Sequence, residues 1–149
     1  MIRVFVSEAP LDPATLIAGL PSTGALATFI GRVRADDGVT ELMLEHYPGA
    51  TERALRDIGE AAVVRWRLAE AVIVHRVGAM GPGEPIVFVA AASAHRRAAL
   101  DACAFIIDRL KTDAPFWKRE RRGADTRWVE QRGGDRAAAA RWDQPPDES

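Results

Sequence analysis

Two apolar runs and the link between them, A71-V-I-V-H-R-V77, G78-A-M-G-P-G83 and I86-V-F-V-A-A-A92, decide the fold class of this 149-residue chain. Each run is short, rich in valine, isoleucine and small residues, and bounded by glycine and proline, so it reads as a strand; the link reads as a loop. Directly after the second run, S93-A-H-R-R97 opens a helix predicted over 94–111 with Ser93 as its cap. Ala99, Cys103, Ile106, Ile107 and Leu110 recur at helical spacing and form its inner face. Pro115 forbids its continuation.

The flanks agree with that frame. Residues 2–7 alternate apolar and polar and predict a strand; Asp12-Pro13 starts a short helix that ends at Leu20-Pro21. Gly24–Arg34 and Thr40–Tyr47 predict two β segments joined by A35-D-D-G-V39, a hairpin-like connection. After Pro48-Gly49 a long amphipathic helix is expected over 51–67, with Ala54, Leu55, Ile58, Ala62 and Trp66 on one side. Phe116–Arg119 and Arg127–Glu130 predict a small hairpin around Gly123, Asp135 a cap for a last short helix, and P145-P-D-E-S149 a frayed tail. The expectation is one α+β domain over residues 1–142: a mostly antiparallel sheet, two long helices and a small C-terminal hairpin, with 143–149 as a tail.

Composition narrows the classes. An apolar share of 48% and a charged share of 28% fit a globular domain. No apolar run reaches the roughly 18 residues of a membrane span, and the N-terminus lacks the layout of a signal peptide, so a cytoplasmic protein is expected, with no membrane partner. One cysteine excludes an internal disulfide and a cysteine-rich metal site. Residues 1–93 carry 8 basic and 11 acidic side chains, residues 94–132 carry 10 and 6, and residues 133–149 carry 2 and 4. A local basic patch in a chain of net charge −1 suits a small anionic ligand better than nucleic acid.

Four clusters could carry chemistry, each with a plainer alternative. Arg32 and Arg34 flank Val33 at a strand end and share a face by alternation; they form an anion clamp or a solvated strand end. His95, Arg96 and Arg97 place cations in a first helical turn, where the macrodipole prefers anions. That start is a phosphate pocket or a surface helix with misplaced charge. Lys111 and Lys118 are the only lysines beside eighteen arginines. An amine can lose its proton and act as base or nucleophile where a guanidinium cannot, whereas a lysine closing a helix is also favourable for its charge alone. Cys103, mid-helix on the apolar face, reads as a small buried hydrophobe, which leaves no usable thiol. His46, His75 and His95 are too scattered to suggest a ligand set, and no motif for a metal or nucleotide phosphate is present.

In this order, A27-T-F-I-G-R-V-R34, L42-M-L-E-H-Y-P-G49, H75-R-V-G78, S93-A-H-R96, L110-K-T-D-A-P-F-W-K-R-E120 and R127-W-V-E130 resemble the large catalytic subunit of molybdopterin synthase, from about residue 24 to Trp142. The resemblance implies an α/β-hammerhead fold and a sulfurtransferase that converts cyclic pyranopterin monophosphate (precursor Z) to molybdopterin in molybdenum cofactor biosynthesis. The sulfur is implied to arrive on the thiocarboxylated C-terminal Gly-Gly of a small ubiquitin-like subunit. A homodimer with one small subunit at each end, a heterotetramer, is implied, with no cofactor and no metal. Residue by residue, Arg32, Val33 and Arg34 match a substrate-contacting strand end, and His95 and Arg96 a helix-start pair that reaches substrate across the dimer. Lys111 matches the lysine near the thiocarboxylate, and Lys118, Arg119 and Glu120 the second lysine segment. Lys111 and Lys118 are the implied catalytic pair, and both also contact substrate. The A35-D-D-G-V39 connection is short for the family, and the tail after Trp142 has no counterpart.

Two rivals remain. F116-W-K-R-E-R-R122 is also a basic aromatic surface of the kind a nucleotide- or nucleic-acid-binding module uses, which a steep salt dependence would reveal. A scaffold subunit without activity is the other; the intact set of Arg34, His95, Arg96, Lys111 and Lys118 argues against it.

Overall fold

The computed structural model describes residues 1–34, 38–128, 137–138 and 140–143. Among the described residues the elements run in the order β1 (Ile2–Ser7), α1 (Pro13–Ala18), β2 (Ala25–Arg32), β3 (Glu41–His46), α2 (Ala50–Trp66), β4 (Glu70–Arg76), β5 (Gly78–Met80), β6 (Pro85–Ser93), α3 (Arg96–Asp113), β7 (Phe116–Arg122) and β8 (Asp125–Trp128). A 3-10 turn follows at Arg141–Asp143.

The expected single sheet is two. The first has the order β1-β4-β6-β2 and the second β5-β3-β7-β8. All pairings are antiparallel except β1 with β4. All seven residues of β4 are buried because both of its faces are covered. Ala71 and Ile73 join Val87, Val89 and Ala91 beneath Leu55, Ile58 and Ala62 of α2 and Ala102, Cys103 and Ile106 of α3. Val72 and Val74 join Phe88 and Ala90 on the reverse face, under Leu11, Leu16 and Leu20. Covered on both sides, this strand shows an unbroken apolar run in sequence instead of alternation.

Three local expectations need correction. β2 and β3 are not the two arms of a hairpin: β2 pairs with β6 in the first sheet, and β3 pairs with β5 and β7 in the second. A register shift at Gly31/Arg32 loosens β2 there, and Val33 then donates to Glu84 O at 2.9 Å and accepts from Gly83 N at 2.8 Å. The segment 78–83 is not all loop, since Gly78–Met80 pairs with Leu42–Leu44. Gly78 turns out of β4 at φ 91°, a left-handed value that favours glycine, and Met80 is buried against Leu42, Leu44 and Val33. Gly-Ala-Met has little intrinsic strand preference; its partner strand decides it. Ser93 does not cap α3 directly. It ends β6, its hydroxyl accepts from His95 N at 3.3 Å, and His95 is the N-cap residue.

Elsewhere the elements match. Asp12 caps α1 through Thr15, α2 runs 50–66, and β7 and β8 form the small hairpin around Gly123. Trp142 packs edge-on against Trp66 and Phe105 and donates to Asp108 at 2.7 Å. Asp143, assigned by sequence to the tail, pairs with Arg109 at 2.7 Å. The rest of that tail, the Asp135 cap and the hairpin end at Glu130 lie outside the described residues.

Candidate active site

Topology sorts the sequence-predicted residues into two poles. Antiparallel pairing of β2 with β6 sets Arg32 opposite Pro85 and Ala25 opposite Ser93, at opposite ends of the same ladder. Helix α3 leaves the Ser93 end and returns, and the helical rise separates Arg96 from Lys111 by about 22 Å. Arg32, Arg34, Lys111, Lys118 and Glu120 therefore gather at one pole, while His95 and Arg96 stand alone at the other.

At the first pole strand parity decides what meets what. Phe116, Lys118 and Glu120 lie opposite His46, Leu44 and Leu42, so they share the inner face of the second sheet. Lys118 is half-buried there, beside the cluster of Val33, Leu42, Leu44, Val77 and Met80 on which Phe116 packs. Glu120 accepts from Arg122 at 3.3 Å. Arg119 falls on the other face, its guanidinium 5.6 Å from the Trp128 ring centroid, in an exposed aromatic patch with Trp117. Arg119 and Lys118 thus point to opposite sides of one strand. The Val33 side chain is buried and its backbone is bonded to Gly83 and Glu84; it fixes the exposed Arg32 and Arg34 on either side of it.

The turn between the two lysines is tied down by residues that sequence reasoning missed. Thr51, fully buried at the start of α2, donates from its hydroxyl to Pro115 O at 2.8 Å and accepts from Tyr47 N at 2.9 Å. His75 stacks on Phe116, with ring centroids 4.1 Å apart at 27°, and its Nδ1 donates to Arg76 O at 2.9 Å. Burial, with the Lys111 and His46 charges adding to it, pushes the His75 imidazole down to about 4. His46 lies 3.1 Å from Glu52, whose carboxyl is held below its ordinary range by its own backbone N–H, by Gly49 N–H and by His46. Three histidines scattered in sequence therefore place two beside the lysine turn. The only available signal was H75-R-V-G78, and without its partners it had no reading.

At the second pole His95, Arg96 and Arg97 are exposed, the first turn of α3 carries no acidic residue, and the N-cap has no side-chain bond. Gly24 permits this start: a Cβ there would lie 2.3 Å from Ala94 O. Cys103 is buried, and burial pushes its thiol up to about 11. Among the described residues no group of three potential metal ligands occurs, and no helix is long and apolar enough to cross a membrane.

The fold is that of an α+β protein, and the residues gathered at its first pole carry two amines and two exposed guanidiniums. The family model described as MoaE protein matches residues 6–113. The molybdopterin synthase catalytic subunit of Caulobacter vibrioides is 49% identical over 95% of this chain and 97% of its own length. That of Pseudomonas aeruginosa is 50% identical over 96% of this chain and 100% of its own. The solved molybdopterin biosynthesis MoaE protein from Burkholderia ambifaria is 44% identical, superposes with a TM-score of 0.83, and is covered over 99% of its length against 97% of this chain. The chain belongs to the MoaE family, and with it to the catalytic subunits of molybdopterin synthase, enzymes of molybdenum cofactor biosynthesis.

Proposed function

We propose that this chain builds the dithiolene of molybdopterin on precursor Z with sulfur from the thiocarboxylated C-terminus of a small ubiquitin-like subunit. The observation that carries the reading is the first pole: the chain's two lysines stand at either end of one tethered turn, with Arg32 and Arg34 at the same end of the molecule. A phosphate and a planar pterin call for guanidinium and N–H donors, and stepwise sulfur transfer calls for groups that add and remove protons. Lys111 assists attack of the thiocarboxylate on substrate carbon, and Lys118 holds substrate and exchanges protons with it. Arg32, Arg34 and Arg96 bind the anion with His95 beside them, and Glu120 orients the lysine strand. The thiol of Cys103 has no part in this, since it is buried and protonated.

The two-pole geometry also supports a homodimer. A substrate held by Lys111 and by Arg96 at once needs the helix start of a second copy, because about 22 Å separates the two within one chain. With a small subunit at each lysine pole the assembly is a heterotetramer. Reconstitution tests the function: purified protein, precursor Z and thiocarboxylated small subunit are expected to yield molybdopterin. No product with a small subunit active toward another synthase overturns the reading.

A further inference from the structure

We propose that the Arg76 side chain is a positioning group for the strand end that carries Arg32 and Arg34, acting through Glu84 and the turn 81–84. The inference rests on the reading of Arg32 and Arg34 as the anion clamp, and it gives the buried cation of H75-R-V-G78 a role. Arg76 ends β4 and continues the face of Val72 and Val74, which packs among apolar side chains. It is 8% exposed, and a guanidinium that deep needs its charge met. Its Nη1 lies 3.1 Å from Glu84 Oε1, and its Nε donates to Glu8 O at 3.4 Å. The other oxygen of the same carboxylate accepts from Gly81 N, and Glu84 N donates to Gly81 O at 3.2 Å. One carboxylate thus closes the turn and ties it to a buried cation. The Gly81 N–H first, then Arg76, hold that carboxyl below its ordinary range.

The turn matters because the β2–β6 ladder breaks beside it. Pairing passes from Gly31–Val87 to Arg32–Pro85, skipping Ile86, and proline has no N–H to offer. Past that break the turn itself holds the strand: Val33 N donates to Glu84 O at 2.9 Å, and Gly83 N donates to Val33 O at 2.8 Å. Val33 is buried, while Arg32 and Arg34 on either side of it are exposed. Where those two guanidiniums can reach is therefore set by the Val33 backbone, that backbone by the turn, and the turn by Arg76. An ion pair kept for stability alone would change melting and leave the folded enzyme's affinity for substrate where it was. A positioning pair moves that affinity.

Arg76→Met keeps an apolar stem and removes the charge, and two measurements on the folded variant read its effect. Amide hydrogen exchange at Val33 and Gly83 should speed up by about tenfold or more. The calorimetric Kd for precursor Z should rise by about tenfold or more, as for a misplaced binding group, with small-subunit affinity within about twofold. Arg76→Lys, which can still meet Glu84, should recover part of both. In an Arg32→Ala/Arg34→Ala background the same substitution should cost less than about twofold, because the groups it positions are gone. Parental exchange at Val33 overturns the proposal. So does parental precursor Z affinity in an Arg76→Met protein whose Val33 exchanges fast, or an undiminished loss in the double-alanine background. If Arg76→Met does not fold, Glu84→Gln weakens the same link from its more exposed end and is read in the same way. Should Arg32→Ala and Arg34→Ala both bind precursor Z as tightly as the parent, the clamp reading fails, and exchange at Val33 alone decides whether Arg76 holds the strand end.

Discussion

The two ends of α3 are built in opposite ways. Its C-terminal end is crowded: Thr51 holds Pro115, His75 stacks on Phe116, and Lys118 leans on an apolar cluster. Its N-terminal end is bare, with three exposed cationic or imidazole side chains and no acidic residue to offset them. A crowded end can shape an amine's surroundings, and a bare end can only wait for something to cover it. On the proposed reading, the same 18-residue helix carries a finished half-site at one end and an unfinished one at the other.

The largest expected effect tests the finished end. Lys111→Arg keeps the charge and removes the ability to give up a proton, so turnover should fall by about a hundredfold or more, the range of general acid–base catalysis. Rate measurement in the reconstituted system decides it; near-parental turnover would mean that the site needs only a cation.

Next come two arginines, one from each pole. Arg34→Ala and Arg96→Ala should each weaken precursor Z binding by on the order of 2–5 kcal/mol, as for truncation of a buried charged pair, with small-subunit affinity unchanged. Calorimetry with each ligand separates the two. If the poles meet across a dimer, inactive Lys111→Ala and Arg96→Ala chains refolded together should regain about a quarter of parental activity. Half of the dimers are then mixed, and each mixed dimer owns one intact site. No recovery from a mixture shown to exchange subunits would break the comparison between the poles.

Stability against pH sharpens the crowded end. Unfolded His75 takes up its proton near pH 6.5 and folded His75 only near 4, so protonation favours the unfolded chain between those values. The contribution, on the order of 3 kcal/mol, is complete above about pH 6.5 and is lost as pH falls towards 4. Denaturant unfolding at a series of pH values should show that slope, and His75→Phe should flatten it.

Much of this was legible in sequence. The apolar runs at 71–77 and 86–92, the helical spacing after them, and lysine scarcity all act within one element, where periodicity carries the information. What stayed hidden depends on contact between elements. Nothing local marks Gly78–Met80 as a strand, Thr51 as the tie to Pro115, or His75 as the ring stacked on Phe116. The hairpin expected at 35–39 failed for the same reason: spacing fits a turn, but which strands pair is decided by the sheets on offer. Arg119, adjacent to Lys118 in sequence, is carried away from it by strand parity.

Thr51→Val tests whether that hidden tie matters. Valine keeps the shape and leaves Tyr47 N without its acceptor and Pro115 O without its donor, which should cost about 1–3 kcal/mol by thermal or denaturant unfolding. A change under about 0.5 kcal/mol would show that the lysine turn holds itself.

The smallest effect is expected at Cys103, where chemistry and burial pull apart. A lone cysteine in a sulfur-transferring enzyme invites the idea that it carries the sulfur. The structure gives it neither of the properties that role requires. It lies on the inner face of α3 among Ala99, Ala102 and Ile106, and burial raises its thiol to about 11, so thiolate is scarce at neutral pH. Cys103→Ala should retain parental turnover with a thiocarboxylated small subunit and lose on the order of 1 kcal/mol of stability from the small void it leaves. Iodoacetamide should leave the folded parent unlabelled at pH 7.5 and label it after denaturation. Loss of turnover in a Cys103→Ala protein that melts within a few degrees of the parent would give this thiol a part in the reaction and overturn the reading.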